Sequence, residues 1–168
     1  TALTRILGPD SLEIIEPLIT DPNPMVRKRI ILMLGLFAGI DTYARNRLKE
    51  IAFDKQADED LRVTALQELA KNPPEEENER IEIQEKTLEM IMEQETPTQR
   101  VKSKPANSAY ESEMLKLTAL DLIGKIGDKT ALQKLSRINY SYQTLSLKKE
   151  QALDQMRLRM ESYISSSY

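Results

Sequence analysis

Three ten-residue segments of the chain align without a gap: VRKRIILMLG (26–35), LRVTALQELA (61–70) and LKLTALDLIG (115–124). Position one is apolar (Val26, Leu61, Leu115) and position two is basic (Arg27, Arg62, Lys116). Positions five and six are Ile30-Ile31, Ala65-Leu66 and Ala119-Leu120. Position nine is Leu34, Leu69, Ile123, and position ten is small: Gly35, Ala70, Gly124. KKEQALDQMR (148–157) follows more loosely through Lys149, Ala152, Leu153 and Met156. Apolar residues at this spacing form one stripe of an α-helix. A helical unit that recurs along a chain buries its stripe by stacking on its neighbours, which is the sequence signature of a solenoid.

The punctuation between these segments predicts helices throughout. Asp10 and Ser11 are placed to cap a helix over 12–20, with Glu13 three positions after Asp10. Asn23 followed by Pro24 predicts a helix to about Ala38, because proline at the first helical position removes an N–H that has no partner there. Asp41 or Thr42 opens a helix to Phe53, and Asp58 caps one running to Lys71. Asn72-Pro73-Pro74 stops that helix, and Glu75 to Glu77 suit the first turn of the next, which extends to about Glu95. Ser108 and Glu111 read as a capping box for a helix ending near Ile126. A short helix from Asp128 ends near Ile138, and Ser146 opens a final helix to about Ile164. No stretch alternates with period two for long enough to be a strand.

On these residues the chain resembles the HEAT-repeat family. SLEIIEPLITDPNPMVRKRIILMLGLFA (11–38) looks like a full repeat, with a kink at Pro17, a D-P-x-P-x-V-R turn and a small residue near the end of the second helix. LTALDLIGKIGDKTALQKL (117–135) resembles the short HEAT-like repeats of the phycobilisome-lyase type. The resemblance implies an all-α, right-handed solenoid of about four helical hairpins. It would span residues 1–168 as one domain, a fragment of a longer chain that begins inside a helix at TALTRILG. A generic helical bundle is the plainer alternative. In the family an Asp six positions before the basic residue often pairs with it. Asp21 and Arg27 fit, whereas Gln56 and Tyr110 stand before Arg62 and Lys116, so an incomplete ladder is expected. TPTQRVKSKPANS (96–108), with two prolines and no apolar stripe, is expected to be a mobile loop.

The residue types bound the chemistry. With no histidine and no cysteine, the commonest metal ligands and the side chain best suited to proton transfer near neutral pH are missing. The five glycines form no phosphate-binding loop. DKQADED (54–60) gathers four acids but lacks the glycine and terminal glutamate of an EF-hand, and reads as a turn plus helix start. No catalytic activity and no cofactor are expected. Glu75 to Glu95 holds nine glutamates against Arg80 and Lys86, a solvated face or an acidic docking patch. Tyr140 and Tyr142 read as packing residues. The longest apolar run, Ile30 to Ile40, is eleven residues, well short of the ~20 that span a bilayer, so no membrane insertion is expected. The expected compartment is the cytoplasm, with the periplasm left open by the absence of cysteine.

The expected function is a non-catalytic protein–protein interaction scaffold or adaptor. The competing reading is a DNA-binding or DNA-glycosylase-like member of the HEAT-like fold. A net charge of −3, two phenylalanines and no tryptophan argue against it, although Arg27–Arg29 and Arg45, Arg47 and Lys49 cluster. A bilin lyase is a remoter reading, suggested only by the name of the repeat type.

The aligned second helices sharpen the partner question. The row that should point away from the core reads Asp60, Thr64, Gln67, Lys71 in one helix and Met114, Thr118, Asp121, Lys125 in another. The same register in the first full unit reads Met25, Arg29, Leu32, Leu36. Leu32 and Leu36, rimmed by Arg29 and flanked by Thr64 and Gln67, are expected to centre a groove for a peptide or helix of another protein. The alternative is that a missing N-terminal repeat, the loop at 96–108 or a second copy covers the row.

Overall fold

The computed structural model describes residues 11–92 and 107–165, all helix and connecting turn, with no strand among them. The N-terminal TALTRILG helix end and the Asp10 cap lie outside the described residues. So do the span beyond Met92 of the acidic helix and the loop at 96–108 as far as residue 106. The chain divides into two compact units, Thr1–Pro74 and Glu75–Tyr168, parted at the Asn72-Pro73-Pro74 stop.

In the first unit, α1 (Ser11–Ile15) tightens into a 3₁₀ helix, Glu16–Thr20, at Pro17. Proline has no N–H for the α-helical ladder, so the chain closes this turn with the shorter pattern. Helix α2 (Pro24–Phe37) starts as expected: the Asn23 side chain accepts the Met25 N–H at 2.9 Å. Helix α3 (Thr42–Phe53) is capped by Asp41, which accepts the Ala44 N–H at 2.9 Å. Helix α4 (Glu59–Lys71) completes the unit. Helix α2 packs against the 3₁₀ helix, α3 and α4, and α3 packs against α4. The core they share holds Ile30, Ile31 and Leu34 of α2, Ala44 and Leu48 of α3, and Leu61, Leu66 and Leu69 of α4. A polar brace ties the 3₁₀ helix to α3. Arg47 pairs with Glu16 at 2.9 Å, and the Tyr43 hydroxyl donates to the same carboxylate. That bond to Glu16, then burial, raises the Tyr43 hydroxyl pKa.

The second unit holds α5 (Glu77–Met92), α6 (Asn107–Ile126), α7 (Lys129–Ser136) and α8 (Gln143–Ser165). Helix α5 packs on α6 and α7, and α8 packs on α6 and α7. The core includes Ile83, Leu88, Leu120, Ile123, Leu135 and Met156. The end of α6 is held from two sides. Arg159 of α8 donates to the carbonyls of Gly124, at 3.0 Å, Lys125 and Gly127, which supplies donors to C=O groups that no helical N–H reaches. From the other side, Gln84 accepts the Asp128 N–H at 2.8 Å, while the Asp128 side chain caps α7 by accepting from Ala131 at 2.9 Å.

Two helix starts and one ion pair differ from expectation. Helix α6 begins at Asn107, so residues 107–108 belong to the helix and Ser108 lies inside it rather than before it. Helix α8 begins three residues before Ser146, whose hydroxyl donates back to the Tyr140 carbonyl at 3.2 Å. The expected Asp21–Arg27 pair is also replaced. The Asp21 carboxylate accepts the Asn23 N–H at 2.7 Å, which holds the turn, and Arg27 reaches the Asp21 backbone carbonyl at 2.8 Å. The carboxylate that pairs with Arg27 is Asp58, at 2.5 Å, at the start of α4. The basic residue at position two nevertheless has a recurrent task. Arg62 donates to the Ala52 carbonyl at 3.3 Å and Lys149 to the Ile138 carbonyl at 3.0 Å, each just before the helix that carries the base. A long cationic side chain lies along apolar surface while its head bonds carbonyls at the end of the preceding helix.

Tyr140, before α8, is half-buried, and its hydroxyl oxygen is out of solvent contact with no hydrogen-bond partner. Burial pushes its pKa up to about 12. A folded-state value above the unfolded one means stability is full below pH ~10 and falls as pH rises toward 12, because the unfolded chain loses the proton first. Tyr140→Phe is expected to remove that part of the alkaline loss. It should leave stability at pH 7 unchanged or raise it by about 1 kcal/mol, since an unbonded buried hydroxyl is costly. Urea denaturation at pH 7 and pH 11 checks both; a clear loss at pH 7 would show that the hydroxyl has a partner.

Candidate functional site

Helix α2 carries the exposed row. Its buried face is formed by Ile30, Ile31, Leu34, Gly35 and Phe37. At 100° per residue, Met25, Leu32 and Leu36 fall within about 40° of one another on the opposite side. They are 63%, 41% and 61% exposed. Arg29 is exposed on one margin of this strip, and Lys28, half-buried, lies on the other. Neither cation has an ion pair among the described residues, unlike Arg27 with Asp58, Arg47 with Glu16 and Lys71 with Glu68. The structure therefore brings Met25, Arg29, Leu32 and Leu36 onto one solvent-facing strip.

The flanking residues on α4 divide. Gln67 is exposed, as expected. Thr64 is not: it is 2% exposed, and its hydroxyl donates to the Asp60 carbonyl at 2.8 Å. Thr118, in the same register of α6, behaves alike, buried and bonded to the Met114 carbonyl at 2.9 Å. Threonine satisfies its hydroxyl on the carbonyl four residues back and presents a methyl to the core, so a position scored as polar becomes a packing position. Thr64 is thus withdrawn from the partner-facing set, leaving Asp60, Gln67 and Lys71 as the exposed residues of that row.

The seam between α2 and α4 is closed by Gly35. A Cβ there would lie 2.6 Å from the Cγ of Glu68, which is buried, with its carboxylate held by Lys71 at 2.6 Å. Asn72 donates to the Gly35 carbonyl at 2.9 Å. The residue beside Leu36 is therefore fixed to α4 by close packing and a hydrogen bond, so the strip sits on a rigid support. Two residues were not anticipated. Lys28 is one; its cation is visible in the sequence, but its place on the margin depends on the helix phase. Ile40, 79% exposed in the turn after α2, lies past the ten-residue alignment.

The acids of 54–60 are engaged as turn and helix-start residues. Asp54 accepts the Gln56 N–H at 2.9 Å, and Asp58 pairs with Arg27. Among the described residues no group of three acids is placed to hold a metal ion, and no helix is long and apolar enough to cross a membrane. Comparison with protein-family models finds no model that matches, and comparisons with curated proteins and with solved structures likewise find no match.

Proposed function

We propose that the chain is a non-catalytic interaction module, a scaffold or adaptor, built as a short solenoid of HEAT-like hairpins, with the exposed strip of α2 as its docking surface. The observation that carries this reading is the grouping of Met25, Leu32 and Leu36 on one solvent-facing side of a helix whose other side is already packed. Single exposed apolar residues are ordinary, whereas a contiguous group rimmed by polar residues marks interaction surfaces. Support for the hairpin architecture comes from within each unit. The second helices lie side by side, α2 with α4 and α6 with α8, and in each pair a glycine, Gly35 or Gly124, meets the following second helix. Three of the six cations that suggested nucleic acid are engaged inside the fold: Arg27 and Arg47 with carboxylates, Arg45 with the Ala38 carbonyl at 2.8 Å.

The test is affinity capture from the native source with wild-type protein, Leu36→Asp, and Leu147→Asp as a control at an exposed position of α8. Leu36→Asp is expected to keep the helical circular dichroism and to lose a bound protein that wild type and the control both retain. A central apolar anchor typically accounts for about 2 kcal/mol or more of binding, a loss of roughly thirtyfold. Retention of every bound protein by a folded Leu36→Asp variant refutes the assignment.

A further inference from the structure

We infer that the occupant of the α2 strip is an acidic amphipathic helix of another protein, laid along α2 with its apolar side on Met25, Leu32 and Leu36 and its carboxylates on the margins held by Lys28 and Arg29. This rests on the strip being the docking surface, and the charge pattern of α2 carries the additional step. The helix PMVRKRIILMLGLF contains three cations and no acid. Arg27 is neutralised within the fold by Asp58, which leaves Lys28 and Arg29, on either side of the apolar row, without an ion pair among the described residues. Both lie in the second turn, and the first turn carries no acid, so their charge adds to the positive end of the helix dipole. An apolar row with unpaired cations on both margins is complementary to a helix carrying leucine-like residues along one side and glutamate or aspartate beside them. The spacing of the row, four and seven positions, matches the rise of a helix lying alongside it. A cationic, apolar helix face also suits an anionic bilayer. That occupant is disfavoured because binding to a bilayer scales with the apolar area buried, and the strip offers it only the side chains of Met25, Leu32 and Leu36.

The experiment uses the full chain and three fluorescein-labelled helical peptides of about five turns. Each has leucines four and seven positions apart along one side, and the margins are glutamate, serine or lysine. Binding is read by fluorescence anisotropy for wild type, Leu36→Asp, Arg29→Glu and the Lys28→Glu/Arg29→Glu double variant. The glutamate peptide is expected to bind wild type about tenfold more tightly than the lysine peptide at low salt, a preference that shrinks at about 0.5 M salt. The double variant should reverse the preference, with Arg29→Glu moving it the same way by less. Equal binding of all three peptides, still abolished by Leu36→Asp, overturns the acidic partner while keeping the docking surface. Binding indifferent to Leu36→Asp overturns the surface itself. Sedimentation with phosphatidylserine–phosphatidylcholine vesicles that depends on Arg29 and displaces the glutamate peptide overturns the protein partner in favour of a membrane surface.

Discussion

Leu66→Ala is expected to destabilise the first unit by about 2–5 kcal/mol. Leu66 is fully buried in α4, the helix that packs against both α2 and α3, so its side chain lies where the unit's helices converge. Removing three carbons there forfeits their transfer from water and leaves a cavity. The cavity closes poorly, because Leu34, Leu48 and Leu69 of the same unit are themselves fully buried and closely packed. Leu32→Ala makes the internal control. It removes the same atoms from α2, but from a side chain 41% exposed, and should change stability by less than about 1 kcal/mol. Hydrogen exchange read at α2 to α4, with urea denaturation alongside, distinguishes the two. Equal effects would mean that the phase of α2 relative to the core is other than described.

Bulk at the two seam glycines is expected to be costly to different degrees and differently curable. At Gly35 the obstruction is the Glu68 side chain. Gly35→Ala gains up to about 1 kcal/mol of helix propensity and loses about 1–3 kcal/mol to overpacking, a modest net destabilisation. Glu68→Ala in the same chain should abolish that penalty, which a double-mutant cycle reads as a coupling of opposite sign to the single losses. At Gly124 the neighbours include backbone: a Cβ would sit 3.2 Å from the Ala152 Cα and 3.4 Å from its Cβ, and would also meet the Gln155 side chain. Gly124→Val drives two further carbons into that seam and should cost about 3 kcal/mol. Gln155→Ala should relieve little of it, since helix α8 itself must move. Full rescue by Gln155→Ala would show that the seam is set by the side chain and not by the approach of the helices.

The helices were legible because their signals are local. Asn23-Pro24, Asp41 and Asp128 cap where the sequence places them, since each cap bond spans only two or three residues. The core positions Ile30, Ile31, Leu34, Leu66, Leu69, Leu120 and Ile123 follow from one repeating spacing, and all are buried. The exposed strip was legible for the same reason: Leu32 and Leu36 are out of pattern relative to the aligned helices. What failed needed information from outside the segment. Thr64 looked polar and is buried, because its hydroxyl bonds within its own helix and the packing of α4 against its neighbours then favours the methyl. Asp21 stood at the family spacing from Arg27, yet the turn claims its carboxylate through Asn23, and Asp58 supplies the charge instead.

By itself, then, the sequence determined an all-helical chain, where α2, α3 and α7 cap, which stripe of the aligned helices is apolar, and which row of α2 has an excess of leucines. Those properties follow from hydrogen bonds and periodicities a few residues long. Only the tertiary structure decided that Gly35 is a contact point for Glu68, that Arg27 is neutralised from 31 positions away, and that Lys28 and Arg29 have no counter-charge among the described residues. Each of these depends on which helices lie side by side and at what phase. That arrangement is chosen by the joint burial of all the stripes and cannot be read from any one of them.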